Sequence, residues 1–242
     1  MALEERAYYR TDPPADPTFR GMHPLSITTW LIIINVVCYL LDCATTRRLI
    51  FPDGLQILSE PFYEWGAFTA ETAVFHLQVW RFISFQFLHA SLIHLGFNML
   101  ALFFFGPLME SYLGRWRFLA FYLLCGIAGP MSYLLIYALH VGAAARNAGL
   151  IGASAGVFGV LVASAQVLPD ATVLIYGVIP AKLRTVAWVL LGIAIYTVFT
   201  NGTNAGGEAA HLGGAALGYL LIKNERWLDI FASRPSTDAT GR

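Results

Sequence analysis

Four polar residues lie within otherwise apolar stretches of the sequence and have side chains that can do chemistry: His94, Asn98, Ser154 and His211. A serine hydroxyl becomes a nucleophile when an adjacent imidazole removes its proton. His94 and Asn98 are four residues apart, so on a helix they share one face. These residue types indicate a serine nucleophile with an imidazole base, beside a second imidazole and a carboxamide.

The composition indicates which kind of element positions these residues. Of the 242 residues, 57% are hydrophobic and 12% are charged, whereas a soluble domain has about 25% charged residues. The net charge is zero and no basic stretch recurs, which excludes nucleic acid as a partner on electrostatic grounds. The three cysteines lie in apolar stretches and are expected to be buried, not paired in a disulfide framework. We therefore expect a membrane protein whose solvent is the lipid bilayer.

Six apolar stretches are candidates for membrane-spanning helices, each of which needs about 20 apolar residues. They cover residues 25–42, 85–109, 118–141, 150–168, 185–200 and 206–222. The predicted fold is an all-α, polytopic bundle of six transmembrane helices at residues 25–222. An N-terminal tail at 1–24, which lacks the apolar segment of a cleaved signal peptide, and a C-terminal tail at 223–242 flank the bundle.

The lysine and arginine residues predict how this bundle is oriented. If the N-terminus is cytoplasmic, 11 of the 15 fall in cytoplasmic segments, and cytoplasmic loops of membrane proteins are enriched in these residues. Both termini are therefore expected in the cytoplasm. The long first loop, residues 43–84, is rich in aromatic rings and is expected to lie on or partly in the outer leaflet. An extracellular loop with a small core of its own is the alternative.

In this orientation the reactive residues share one layer of the membrane. The second, fourth and sixth spans all start at the outer face. His94, Ser154 and His211 each fall within about the first ten residues of their span, so at 1.5 Å per residue they lie at similar depth. The sequence therefore predicts one polar cluster in the outer part of the membrane.

The glycine spacing predicts that the fourth and sixth spans approach each other closely. Gly152 and Gly156 form a G-x-x-x-G step, and Gly214 and Gly218 form another. Small residues at this spacing let membrane helices pack with their backbones nearly in contact. Such contact would bring the serine hydroxyl of the fourth span within hydrogen-bond reach of the imidazole of the sixth.

Each of these residues also has a simpler structural interpretation. Ser154 lies in a Gly/Ala-rich span, where a serine usually serves packing, and an intramembrane histidine is often a core residue or a haem or metal ligand. Glu208 precedes His211 by one turn. It is either a first-turn acid favoured by the helix dipole or a group that tunes the pKa of the His211 imidazole.

Two familiar motifs are excluded by their context. Residues 152–156 match the G-x-S-x-G pattern, but the nucleophile elbow of α/β-hydrolases needs a preceding strand and a soluble sheet. His89 and His94 are five residues apart with no glutamate between them, unlike the H-E-x-x-H zinc motif. We expect neither a metal nor an organic cofactor.

Four motifs together resemble the rhomboid family of intramembrane serine proteases. They are WRFISFQFLHASLIHLGFNM at residues 80–99, Glu110-x-x-x-Gly114-x-x-Arg117, Gly152-Ala153-Ser154, and Gly206-x-x-x-Ala210-His211-x-x-Gly214. The resemblance extends from about residue 26 to residue 222, and the order of the motifs makes it specific.

The resemblance implies a role for each site residue. Ser154 would be the nucleophile and His211 the general base, with His94, Asn98 and the Ser154 backbone N–H as the oxyanion hole. Structural roles near the site would fall to Trp80, Arg81, His89, Gly152, Phe158 and Gly214. Glu110 and Arg117 would be structural in the polar turn after the second span. The sequence departs from the family at Ala155, where glycine is common, and at Phe158, where tyrosine is common.

The resemblance also implies the activity and its setting. The chain would be a serine endopeptidase that cleaves transmembrane helices of other membrane proteins, with substrates arriving from the bilayer between the second and fifth spans. We expect it in the cell (inner) membrane of a bacterium. The alternative is a rhomboid-like pseudoprotease that binds membrane helices without cleaving them. A transporter or haem-binding bundle would need charged pairs along a pathway or paired axial histidines, and neither is evident in the sequence.

Overall fold

The computed structural model describes residues 25–51, 54–139, 149–175 and 177–232. The elements in this part of the chain are α1 (Ile27–Thr45), β1 (Arg47–Phe51), β2 (Gly54–Ser59), α2 (Pro61–Gly66), α3 (Arg81–Ser84), α4 (Leu92–Leu113), α5 (Arg115–Ala138), α6 (Ser154–Val167), β3 (Thr172–Ile175), β4 (Ile179–Lys182), α7 (Leu183–Phe199) and α8 (Ala205–Lys223). A π-helical turn (Glu71–Phe75) and 3-10 helices (Phe85–Phe87, Glu225–Phe231) complete them. The predicted tail at 1–24 and the last ten residues of the predicted tail at 223–242 lie outside the described residues.

Each of the six predicted spans coincides largely with one helix. Three helices, α1, α4 and α5, are long and apolar enough to cross a membrane, whereas α6 and α7 are shorter apolar helices. The helical, membrane-spanning class of the prediction is thus confirmed, and the count of six crossings stays a prediction.

The start of the second predicted span is wrong. An apolar stretch runs on from residue 85, but the helix begins only at Leu92, after a 3-10 helix and an extended Leu88. Ser91 is the N-cap, and its hydroxyl accepts a hydrogen bond from the His94 backbone N–H at 3.1 Å. His89 consequently lies in the connection before α4 and not on the helix.

Helix α8 packs against α5, α6 and α7, and its glycines account for the close approach to α6. A Cβ added to Gly214 would lie 2.0 Å from the Ala155 carbonyl oxygen, and one on Gly218 would lie 2.7 Å from the Cα of Gly159. The prediction that Gly214 and Gly218 of α8 face the fourth span is correct. The corresponding prediction for Gly156 of α6 is wrong, because this glycine contacts Tyr122 of α5 instead. Which face of α6 meets α8 depends on the helix on its other side, and spacing alone does not carry that information.

The start and the end of the described chain lie at the same end of the helical bundle. Arg115, at the start of α5, donates a hydrogen bond to the Leu25 carbonyl at 2.6 Å, beside the start of α1. Arg117 forms an ion pair with Asp229, which follows α8. The start of α1, the α4–α5 turn and the segment after α8 therefore lie at the same end.

The cysteines follow the packing of their helices. Cys125 of α5 is buried, but Cys43 is exposed in the last turn of α1, where the expectation of burial is wrong. The buried residues of α1 extend only from Ile27 to Asn35. The end of this helix therefore projects past its packed face.

Candidate active site

The first turn of α6 is held in place by the loop that precedes α4. Phe68 and Leu150 form a two-way backbone bridge, with N–H to carbonyl distances of 3.0 and 2.7 Å. The Gly152 N–H donates to the Phe85 carbonyl at 2.9 Å. These bonds fix the segment that leads into Ser154, the first residue of α6.

Gly152 is required by its conformation and by its neighbour. Its φ of +124° lies in a region that side-chain-bearing residues rarely adopt. A Cβ at this position would lie 2.8 Å from Nε2 of His94. The glycine therefore lets the His94 ring lie directly against the backbone that leads into Ser154.

Trp80 and Arg81 order the first loop and do not reach the polar cluster. The Arg81 side chain is buried and donates to the Ala67 and Glu64 carbonyls at 2.5 and 2.6 Å. The Trp80 indole N–H donates to the Trp65 carbonyl at 3.1 Å, and the two indoles stack. Five donors in a rigid fork allow one arginine to bind several loop carbonyls at once.

Ser154 and His211 are joined by a hydrogen bond. Ser154 Oγ and His211 Nε2 are 2.7 Å apart, across the contact between α6 and α8. Phe158, one turn after Ser154, stacks on the imidazole with ring centroids 4.2 Å apart and planes 8° apart. The ring of His211 is thus held with one nitrogen facing the serine hydroxyl.

The second nitrogen of His211 has a carboxylate partner. Nδ1 lies 2.9 Å from Oε2 of Glu208, and the two side chains are only 14% and 20% exposed. The structure brings the Glu208 carboxylate into contact with the His211 ring, and it also places Glu208 in the first turn of α8. The i, i+3 spacing on one helix is the sequence signal for this contact, although it does not distinguish it from dipole stabilisation.

His94 and Asn98 line the same cavity as the serine and the imidazole. Asn98 is buried, and its amide donates one hydrogen to the His94 carbonyl at 3.0 Å. Because an amide nitrogen has two hydrogens, a second remains for another acceptor. The buried His89 packs edge-on against His94, with ring centroids 5.0 Å apart, and so supports this ring from behind.

A cavity of about 750 Å³ brings these groups together. Its wall contains Ser154, His211, His94, Asn98 and Phe158, and it continues to Phe97 and Ala101 of α4 and Leu190 of α7. The cavity thus extends from the serine hydroxyl to the region between α4 and α7.

Two further polar residues of the wall were not among the predicted site residues. Tyr63 of α2 lies beside the cavity, and Asn204 precedes α8 with a φ of +67°. Asn204 stands in a polar segment before an apolar run, a recognisable helix-start signal. Tyr63 has no such signal, because it reaches the cavity through contacts between segments distant in the sequence.

Comparison with known proteins identifies relatives along most of the chain. The chain is 25% identical to rhomboid protease AarA of Providencia stuartii over 211 residues, or 81% of this chain and 71% of the relative. It is 27% identical to Rhomboid-like protease 3 of Toxoplasma gondii over 58% of this chain and 51% of that protein. With Rhomboid-type serine protease 2 of Emericella nidulans the identity is 32% over 60% of this chain and 26% of the relative. The chain thus spans about half or less of the length of several relatives.

A family-level match covers the residues that build the cavity. A sequence model of the Rhomboid domain matches residues 76–224. This range contains α4 to α8 and, with them, the serine, both cavity histidines and the asparagine. Since the match covers more than half of the sequence, the chain belongs to the rhomboid family.

Proposed function

We propose that this protein is an intramembrane serine endopeptidase that cleaves transmembrane segments of other membrane proteins through a Ser154–His211 dyad. The observation that carries the proposal is the 2.7 Å hydrogen bond between Ser154 Oγ and His211 Nε2. The two hydrogen-bonded side chains line a cavity whose wall also contains the His94 imidazole and the Asn98 carboxamide. The relatives named as rhomboid proteases give the same reaction class.

The proposed reaction begins with attack by the serine. Nε2 of His211 takes the proton from Ser154 Oγ as the oxygen bonds to the scissile carbonyl carbon. The same proton then passes to the leaving amine when the carbon–nitrogen bond breaks, which leaves an acyl-enzyme. Water then attacks the acyl-enzyme. His211 takes the proton from this water and returns it to Ser154 Oγ as the carboxylic acid product is released. A positioned acid–base group of this kind contributes about 10²- to 10⁴-fold in rate.

The charge that develops on the carbonyl oxygen needs donors. We assign the oxyanion hole to the backbone N–H of Ser154 and the side chains of His94 and Asn98. The second amide hydrogen of Asn98, which the bond to the His94 carbonyl does not use, and the position of the His94 ring against Gly152 support this assignment. One such donor is worth roughly 2.7–4 kcal/mol of transition-state stabilisation in a soluble protease.

The substrate class follows from the setting of the cavity. A transmembrane helix has its carbonyls bonded internally, so it must unwind before a serine can attack one of them. Substrates should therefore carry helix-breaking or small residues near the cleaved bond. The extension of the cavity toward Phe97 of α4 and Leu190 of α7 supports access from the bilayer between these two helices.

The proposed setting is the inner membrane of a bacterial cell. Within it we place a six-helix domain at residues 25–222, with the tails at 1–24 and 223–242 on the cytoplasmic side. The dyad then lies near the outer face. The position of Arg117 and Asp229 at the opposite end of α5 and α8 from the cavity supports this arrangement.

Reconstitution of the full chain with a single-span substrate tests the function. We expect cleavage by the wild type and none by Ser154→Ala or His211→Ala. Measurable cleavage by both variants would contradict the dyad. A fluorophosphonate probe that labels wild-type Ser154 without cleavage would indicate a competent site and an unsuitable substrate. Absence of both cleavage and label would favour the pseudoprotease.

A further inference from the structure

We propose that Glu208 is a positioning residue that completes a Ser154–His211–Glu208 triad. This inference rests on the proposed function, because it assigns the group that acts on the proposed base. Oε2 of Glu208 lies 2.9 Å from Nδ1, and Ser154 Oγ lies 2.7 Å from Nε2. The carboxylate, the imidazole and the hydroxyl therefore form one continuous hydrogen-bonded line.

The carboxylate determines which nitrogen of His211 carries the proton. An ionised carboxylate can only accept hydrogen bonds, so Nδ1 must be the protonated nitrogen in this contact. Nε2 is then left with its lone pair directed at the serine hydroxyl, which is the form a general base requires. Nothing in the contact between Ser154 and His211 alone imposes this tautomer, since a hydroxyl can either donate or accept.

The carboxylate also compensates the charge that forms during the reaction. When Nε2 accepts the serine proton, the ring becomes an imidazolium and the hydrogen bond to Glu208 becomes charge-assisted. Both side chains are more than three-quarters buried, so solvent screens their interaction only partly. The proton on Nδ1 stays on the ring, while the proton on Nε2 moves on to the leaving group.

The orientation of the ring is fixed from two directions. Phe158 stacks on its face with planes 8° apart, and Glu208 holds its Nδ1 edge. Stacking alone also allows the ring flipped by 180° about the Cβ–Cγ bond, because the flip keeps the ring plane, whereas the carboxylate favours the orientation in which Nδ1 faces it. The phenyl ring and the carboxylate therefore have complementary functions.

A purely structural acid in the first turn of α8 is the competing explanation. Such a carboxylate acts on the N–H groups at the start of its own helix. The Glu208 backbone N–H bonds to the Asn204 carbonyl, but its carboxylate bonds to the His211 ring. A structural role would affect thermal stability and would leave the reactivity of Ser154 unchanged.

The rate of fluorophosphonate labelling on the purified full chain separates these roles. In this reaction the Ser154 oxygen–phosphorus bond forms, fluoride leaves with the electron pair of the phosphorus–fluorine bond, and the serine proton passes to His211 and then to water. Glu208→Gln keeps the shape, but its amide can donate to Nδ1 and so leave the proton on Nε2. We expect labelling to slow at least about tenfold, because the wrong tautomer impairs the base.

Two control variants and a second readout make the result specific. Glu208→Asp keeps the negative charge, and we expect its labelling rate to lie between those of the wild type and Glu208→Gln. Glu225→Gln removes a carboxylate at the other end of α8, where Tyr112 donates to it at 2.5 Å, and we expect wild-type labelling. With a cleavable substrate, Glu208→Gln should lower kcat and leave KM unchanged.

The experiment distinguishes failure of the positioning role of Glu208 from failure of the proposed function. If Glu208→Gln labels as fast as the wild type, or if Glu208→Asp and Glu208→Gln slow labelling by the same factor, the positioning role is overturned and the dyad stands. If Glu225→Gln slows labelling as much as Glu208→Gln does, the effect belongs to net charge and the proposal is also overturned. If wild-type Ser154 is not labelled at all, the proposed function fails, and this inference fails with it.

Discussion

The side-chain amide of Asn98 has two hydrogens, and the structure assigns a partner to one of them. That hydrogen goes to the His94 carbonyl one turn earlier at 3.0 Å, which turns the amide toward the cavity. A second asparagine, Asn35 of α1, makes the same kind of bond, to the Leu31 carbonyl at 2.8 Å. It is fully buried and does not line the cavity. A comparison of the two residues therefore distinguishes a packing role from the proposed role at the oxyanion.

Asn98→Ala is expected to lower kcat by about 10²- to 10³-fold, because it removes one of the proposed oxyanion donors. The free energy of unfolding should change little, since the lost hydrogen bond lies on the surface of a cavity. Asn35→Ala, the matched control, should lower the melting temperature and leave the activity of the folded protein unchanged. The activity of both variants is measured by kinetics, with the concentration of competent enzyme determined by active-site labelling. A wild-type rate for Asn98→Ala would remove this residue from the proposed site.

The side chains of the cavity differ in how far the sequence predicts them. Serine, histidine and asparagine at membrane depth are costly and therefore stand out in an apolar span. Glu208 does not stand out in this way, because an acid in a first turn has an ordinary explanation. Its contact with His211 depends on two side-chain conformations, and these are determined by packing.

The contact between α6 and α8 controls the alignment of Ser154 and His211. Ser154 and His211 belong to different helices, so the 2.7 Å distance between them depends on how closely the backbones approach. Gly214 sets this approach, since its Cα faces the Ala155 carbonyl. Gly192 of α7 provides a contrast, because a Cβ there meets nothing within 4 Å among the described residues.

Gly214→Ala is expected to separate the two helices and to lower both stability and activity. The added methyl group would meet a backbone oxygen that cannot move aside, and overpacking of this kind costs about 1–3 kcal/mol. Gly192→Ala should be neutral or slightly stabilising, because alanine favours a helix interior by about 0.5–1 kcal/mol over glycine. Melting temperature and labelling rate of Ser154 measure the two effects. Equal behaviour of the two variants would contradict the packing argument.

At the scale of elements, the accuracy of the sequence prediction depends on local signals. The predicted sixth span, 206–222, agrees with Ala205–Lys223 to within one residue, because a polar segment precedes it. The start of α4 was placed too early because hydropathy stays high across the turn before Ser91. The sequence patterns do not indicate the hairpin, the short helices and the bridge to Leu150 that the first loop contains. Its contacts join residues far apart in the sequence, which periodicity does not detect.

The molecule as a whole is an integral membrane protein with two chemically different ends. Large apolar side chains are exposed along its sides, among them Phe103 and Phe104 of α4 and Trp188 of α7. The cavity lies near the starts of α4, α6 and α8. The other end carries the ion pair between Arg117 and Asp229.

The connection between α6 and α7 also bears ionic contacts. Lys182 donates a hydrogen bond to Asp170 at 3.0 Å, and Arg184 approaches the same carboxylate at 3.3 Å. Lys182, and after it Arg184, hold the pKa of the Asp170 carboxyl below its usual range. Asp170 therefore remains ionised through the physiological pH range, within a basic connection that the orientation rule assigns to the cytoplasm.

The proposed orientation of the chain predicts opposite reactivity for cysteines at two exposed carboxylates. Glu71 of the first loop and Asp170 have side chains that are 69% and 64% exposed. In a chain whose three cysteines are replaced by alanine, Glu71→Cys should react with a membrane-impermeant maleimide on intact bacterial cells. Asp170→Cys should react only after the cells are permeabilised, because positively charged connections remain in the cytoplasm. The reverse pattern would place the cavity on the cytoplasmic side and would contradict cleavage of substrates near the outer face.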